Sequence, residues 1–238
     1  MRGSLLMSGN VGVWESKGNK HINVDLGDRP MPYHEVIGRL ALKYTKEGDR
    51  VLDLGCGLGH ISRLIQAGGS RQISVADAYE VCLEKTTASV PVERAYLLSE
   101  EGFDIKAAIT DRFETVVMSH VLEHLLNPVQ AVRDTLELVE PGGHLILAVP
   151  NPGRPGVVLS NLFKVNYVNR GHVACWDPSH WRNFLENILE LNVAEYAHDF
   201  IRIKGVNRVP ALMSIGKLLG SVAPWWCFSN IAVVRRES

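Results

Sequence analysis

Cysteine is scarce in this chain, and the four that occur (Cys56, Cys82, Cys175 and Cys227) show no C-x-x-C spacing. That argues against both a zinc ribbon and a disulfide framework, and the compartment reads as reducing. An excess of one charge is also missing, since 25 Lys and Arg face 26 Asp and Glu for a formal net charge of -1. Without a basic footprint no nucleic-acid partner is expected, and a small molecule is the better substrate class. The N-terminus lacks an apolar core followed by a small-residue cleavage site, so no signal peptide is expected and the location read from the sequence is cytoplasmic. At 46% hydrophobic content the chain can still bury a full core, which makes one α/β domain the expectation.

What is present begins with Val51-Leu52-Asp53-Leu54-Gly55-Cys56-Gly57-Leu58-Gly59, an apolar run that breaks into three glycines at alternate positions. A buried parallel strand that ends in a glycine turn and feeds a helix brings bare backbone close to a nucleotide-like ligand. The helix follows, because Ile61, Leu64 and Ile65 recur at helical spacing before Gly68-Gly69. Residues 1–30 hold Trp14 and show no sustained period. They read as an irregular arm, either a surface extension or a flap whose indole excludes water from a ligand. From Pro32 a helix places Val36, Ile37, Leu40, Ala41 and Tyr44 on one face.

Strands are expected at 50–54, 72–76, 94–98, 113–118 and 144–149, alternating with helices. Asn127-Pro128 opens one of these helices, and Val129, Val132, Leu136 and Val139 supply its buried face. Later strands are expected at 193–203 and 227–235. The economical architecture is a Rossmann-like, doubly wound α/β fold: a seven-stranded, mostly parallel sheet with helices on both faces and a lid insertion. The domain would span 31–238, with 151–180 and 205–228 as acceptor-side insertions or cap. Asp177-Pro178 opens a further helix with Trp181, Phe184, Leu185 and Ile188 on one side. Residues 209–228 are nearly all apolar, but Lys217 and Pro224 interrupt them, so no transmembrane span is expected. A cap over the site, a dimer contact and an interfacial helix resting on a membrane all stay open, with the chain a monomer or homodimer.

The glycine turn discriminates between ligands. A dinucleotide fingerprint is G-x-G-x-x-G, and here the position of the third glycine is His60. The motif instead reads D-x-G-x-G-x-G. It resembles motif I of the class I S-adenosylmethionine-dependent methyltransferases. Val121-Leu122-Glu123-His124-Leu125, Asn127-Pro128, Val139-Glu140-Pro141-Gly142-Gly143-His144, Val149-Pro150-Asn151 and Gly171-His172 are similar to the succession in the small-molecule branch that includes the ubiquinone-biosynthesis methyltransferases. The resemblance covers roughly residues 35 to 200 and implies S-adenosylmethionine as cofactor. Asp53 would orient its methionine end, Gly55, Cys56, Gly57 and Gly59 would supply close backbone, and Ser119 and His120 would border the reacting group. Asp77, 24 residues beyond Asp53, would accept the ribose hydroxyls, with Ala78 beside it. The family's acidic adenine contact after the third strand has no clear counterpart in Leu98-Ser99-Glu100.

His120-Val121-Leu122-Glu123-His124 also satisfies H-x-x-E-H, a metalloprotease pattern. Asn127-Pro128 leaves little helix to present two histidines, and no distant third ligand is signalled, so no metal is expected. His172 and His124 are the candidate general bases, each with a structural hydrogen bond as its bland alternative. Trp14, Glu123, Cys175 and Trp176 are candidates for the acceptor pocket, and His180 is a weaker one. The expected function is methyl transfer to a small-molecule acceptor, at oxygen before nitrogen or carbon, with apolar content favouring a hydrophobic, aromatic or glycan-linked lipid. The alternatives are a methyltransferase-like binding or scaffold protein without turnover, and an NAD-dependent oxidoreductase.

Overall fold

Apolar runs of four to seven residues cannot shield both their faces alone, so they pair, and the paired sheet is then covered by helices. The computed structural model describes residues 30–99, 104–163, 171–202 and 210–237; Trp14 and the arm around it lie outside these. Among the described residues the strands are β1 (Arg50–Leu54), β2 (Gln72–Asp77), β3 (Arg94–Leu97), β4 (Phe113–Ser119), β5 (Val139–Pro150), β6 (Val193–Ala197) and β7 (Ser229–Arg235). They form one seven-stranded sheet in the order β3-β2-β1-β4-β5-β7-β6. β1 runs parallel to β2 and β4, β2 to β3, and β4 to β5, while β7 is antiparallel to both β5 and β6. This is the Rossmann-like, mostly parallel sheet expected from the sequence.

The helices are α1 (Pro32–Lys43), α2 (His60–Ala67), α3 (Glu80–Ser89), α4 (Ile105–Ala108), α5 (Pro128–Glu137), α6 (Pro155–Phe163), α7 (Pro178–Arg182) and α8 (Pro210–Val222). Alternation along the strands sorts the core into two layers. Leu52, Leu54, Val116, Met118, Leu145 and Leu147 face Ala131 and Val132 of α5 and the Trp176, Trp181 and Phe184 rings. Val51, Val75, Val117 and Ile146 face Ile37 and Leu40 of α1 and Ile61 and Ile65 of α2. At the edge opposite the glycine turn, Arg50 binds Glu114 at 2.6 Å and Glu140 at 2.8 Å, tying the starts of β1, β4 and β5 together.

Three expectations need correction. Val139 is not on the helix's buried face: α5 stops at Glu137, and Val139 pairs with Phe113 as the first residue of β5. Ile188 is exposed although Trp181, Phe184 and Leu185 are buried, because Asn183–Ile188 forms a π-turn that rotates Ile188 off the 3.6-residue face. The sixth strand ends at Ala197, short of the expected 203. There the buried Asp199 carboxylate accepts from the Phe200 and Phe228 amides, turning the chain out of the sheet.

Candidate active site

The carboxyl ends of β1, β2 and β4 meet at the glycine turn. Gly55 and Cys56 both donate to the Ala76 carbonyl (2.7 and 3.1 Å), which fastens the turn to the end of β2. Two glycines have specific reasons to be there. Gly55 has φ +79°, and a Cβ on it would come within 2.1 Å of Val121 Cγ2, so the turn touches the exit of β4. Gly57 has φ +52° and faces open space, with nothing within 4 Å of an added Cβ among the described residues; this leaves bare backbone open to a ligand. Gly59 begins α2 with φ +73° beside Thr86, whose hydroxyl donates to the Gly57 carbonyl at 3.1 Å.

Both acidic positions hold this turn. Asp77 Oδ2 accepts from the Gly57 amide at 2.8 Å and Oδ1 accepts from Tyr79 at 3.0 Å, with Ala78 half-buried between. Asp53 is buried; its Oδ2 accepts from Ser62 Oγ at 2.6 Å, while Oδ1 has no hydrogen-bond partner among the described residues. Burial, reinforced by the nearby Asp77 charge, pushes the Asp53 carboxyl up to about 6. A buried oxygen without a donor is costly unless a ligand supplies one. The amino group and ribose of S-adenosylmethionine have the donors that this orphaned oxygen and the open face at Gly57 would take, so the residues fit the cofactor. Cys56 is buried, and burial raises its thiol, which keeps it neutral.

β4 ends in a second polar group. Ser119 Oγ is buried and unpartnered among the described residues, and His120 sits in the left-handed region at φ +57° with Nε2 3.0 Å from Ser229 Oγ. Glu123 is 1% exposed on a 3-10 turn (Leu122–His124). Its Oε1 lies 3.6 Å from His120 Nδ1 and 3.8 Å from His124 Nε2, and its Oε2 has no hydrogen-bond partner among the described residues. Burial alone would raise this carboxyl, but the His120 hydrogen bond and the two imidazoles outweigh that and hold it below the usual carboxylate range. Glu123 is therefore a buried anion at neutral pH.

His124 Nδ1 lies 3.2 Å from the Gly171 carbonyl, and its ring meets the edge of His172 at 4.8 Å. Burial pushes His172 down to about 4, so it is neutral at pH 7 and only weakly basic. Glu123, His124 and His172 bring ligand-type atoms within 4.8 Å of one another and could hold a cation. The long helix of the H-x-x-E-H pattern is absent here. The third donor comes from a loop about fifty residues away, which no local spacing announces.

The remaining candidates part company. Trp176 packs in the core against Trp181 and Phe184, 5.7 and 5.1 Å between centroids, and its carbonyl accepts from Asn230. Cys175 is exposed, and His180 is an exposed partner of Asp177, which caps α7. Ser99 is engaged by Asp104 at 2.8 Å, and Glu100 lies outside the described residues. Sequence reasoning missed Tyr33 and Phe228. Tyr33 stacks on Phe228 (5.7 Å) and lies 4.5 Å from His120, so α1 and the start of β7 wall the same space. Only their aromatic character marked them, and aromatic residues are more often core.

The sheet order and the glycine turn at its carboxyl edge define the class: a class I methyltransferase fold. Comparison with known proteins carries this further. A family profile described as a methyltransferase domain matches residues 28–188, and the chain belongs to this S-adenosylmethionine-dependent methyltransferase family. The ubiquinone biosynthesis O-methyltransferase of Alkalilimnicola ehrlichii is 32% identical over 131 residues, 50% of this chain and 51% of that protein. The match thus spans about half the length of that relative. Among solved structures, the plantazolicin methyltransferase BamL, in complex with a triazolic desmethylPZN analog and SAH, is similar at TM-score 0.64 and 13% identity, covering 96% of this chain and 95% of that one. The [4+2]-cyclase SpnF is similar at TM-score 0.56 and 14% identity, covering 85% and 80%. At such identities the two structures speak for the fold alone.

Proposed function

We propose that the protein transfers the methyl group of S-adenosylmethionine to an oxygen of a small, apolar, hydroxyl-bearing acceptor. One observation carries the reading: the buried Glu123 anion, set between His120 and His124 where β4 touches the glycine turn. The sulfonium supplies an already activated methyl group, so the protein's task is alignment and exclusion of water. Asp53 Oδ1 would bind the amino group, Gly55, Cys56, Gly57 and Gly59 would give close backbone, Asp77 and Ala78 would meet the ribose, and Ser119 and His120 would border the reacting end.

A hydroxyl acceptor must lose a proton. The Gly171 carbonyl can only accept, so His124 Nδ1 carries hydrogen and Nε2, facing Glu123, is the atom that would take the proton up. Glu123, 3.8 Å from that same Nε2, would then offset the charge of the imidazolium, unlike a Ser-His-Asp triad, in which the carboxylate holds the opposite ring nitrogen. His172, made a weak base by its burial, would orient His124 and close the site. The oxygen preference draws on the name of the Alkalilimnicola relative, and the apolar acceptor on Tyr33 and Phe228 beside His120.

The test is calorimetry with S-adenosylhomocysteine followed by transfer of labelled methyl to phenolic and aliphatic hydroxyl acceptors in detergent. Binding with O-linked label is expected. No binding sinks the reading, and stabilisation by NAD instead would point to an oxidoreductase. A second reading, a cofactor-binding protein without transfer, would be favoured by tight binding with no labelled product across the panel.

A further inference from the structure

We propose that Glu123, His124 and His172 form a site for a divalent ion of the zinc class, and that the ion blocks proton uptake at His124. Binding stands on the geometry of the three side chains, while the block rests on the function proposed above. Two features of the H-x-x-E-H stretch argue against a metal: the helix that would present its histidines is cut short, and no third donor is signalled nearby. The fold answers both. The 3-10 turn Leu122–His124 brings Glu123 Oε1 within 3.8 Å of His124 Nε2, close to the ~3.4 Å edge of a tetrahedron of zinc ligands. His172 supplies the third donor from its distant loop, and the ligand-type atoms of all three residues lie within 4.8 Å of one another. His120, whose Nε2 lies 3.0 Å from Ser229 Oγ, is not one of the three.

The surroundings support a ligand set. His124 Nδ1 is engaged by the Gly171 carbonyl at 3.2 Å, which turns Nε2 toward Glu123; ligating histidines are held in this way through their other nitrogen. The loop that carries His172 is fastened to Glu123 itself, since the Val173 amide donates to the Glu123 carbonyl at 2.7 Å. Glu123 is 1% exposed, and its Oε2 has no hydrogen-bond partner among the described residues. A buried carboxylate oxygen in that state is unfavourable, and a bound cation satisfies it. Both imidazoles are only half-buried, so an ion can reach them from solvent. Two imidazoles and one carboxylate suit zinc or cobalt better than magnesium or calcium, which prefer oxygen donors. Nε2 of His124 has one lone pair, so an ion bound there and a proton taken up there exclude each other.

Calorimetry of the whole chain with zinc chloride tests the site, and the visible spectrum of added cobalt(II) reads the coordination. A single ion is expected. E123Q and H172A should each weaken its binding by roughly 100-fold, with S-adenosylhomocysteine affinity unchanged as the check on folding. C175S, which removes the nearby exposed thiol, should leave zinc affinity as it was. Zinc should inhibit methyl transfer by the parent, a chelator should restore it, and H172A should resist the inhibition. The site is overturned if the parent takes up no stoichiometric ion, or if folded E123Q and H172A bind it as tightly as the parent. Zinc that binds here without lowering transfer overturns the block. A chain that binds zinc through these residues but transfers no methyl group in its absence keeps the site, and the proposed function falls with the block.

Discussion

The two ends of the sheet's carboxyl edge are built on opposite plans. At the β1–β2 end, the Ala76 carbonyl, Asp77, Ser62 and Thr86 fix the glycine turn through bonds among residues within about thirty positions of one another. At the β5–β7 end, the wall comes from α1, the exit of β4, the loop at Gly171 and the start of β7, with contacts such as Tyr33 to Phe228 reaching across most of the chain. Rigid local geometry suits a constant cofactor, and a wall assembled from distant segments can change its guest without disturbing the cofactor turn.

This contrast can be broken at its strongest point. Gly55→Ala places a Cβ against Val121 at a positive φ, and the strain of about 1–3 kcal/mol should weaken S-adenosylhomocysteine binding by roughly 100-fold in calorimetry. Adding Val121→Ala should restore part of that, since it removes the collision and leaves the backbone strain. On the other side of the divide, Glu123→Gln and His124→Ala should each lower turnover by about 10²-fold with cofactor affinity retained. His172→Ala should cost less than about tenfold; a larger loss than His124→Ala would exchange their roles.

A gentler probe is pH. The Asp53 carboxyl, raised to about 6 by burial, is ionised above that pH and neutral below it. Affinity for the amino group of S-adenosylhomocysteine should therefore be full above pH 6 and decline by roughly tenfold per unit as pH falls further. Asp53→Asn should flatten that profile; a profile unchanged in the variant would remove Asp53 as the amino-group partner. The smallest effect is expected far from both halves. Arg50→Ala breaks a partly exposed ion-pair cluster and should cost about 1 kcal/mol or less, read as a small drop in melting temperature with cofactor affinity untouched.

The glycine turn was legible because its residues are neighbours in sequence: Asp53 and Asp77 lie within recognisable strands, and Gly55 and Gly57 come directly after one. The Asn127 cap is another local signal that holds, its side chain accepting from Gln130 at 3.1 Å. Ile188 and Val139 went astray for physical reasons, a π-turn that resets helical phase and a strand that starts before its own glycines. Trp176 could not be told from a pocket residue, because an aromatic side chain looks the same whether it meets Trp181 or a ligand.

By itself the sequence determined the alternating apolar runs, and through them the seven-stranded sheet and the glycine turn. Periodicity and backbone conformation act over a few residues, so they can be read there. Only the tertiary structure decided that Tyr33, Glu123, His172 and Phe228 gather around one space, and that α8 turns Gly216 and Gly220 in and Leu218 and Leu219 out. Those facts depend on which chain segments become neighbours after the sheet closes, and no spacing along the chain records that.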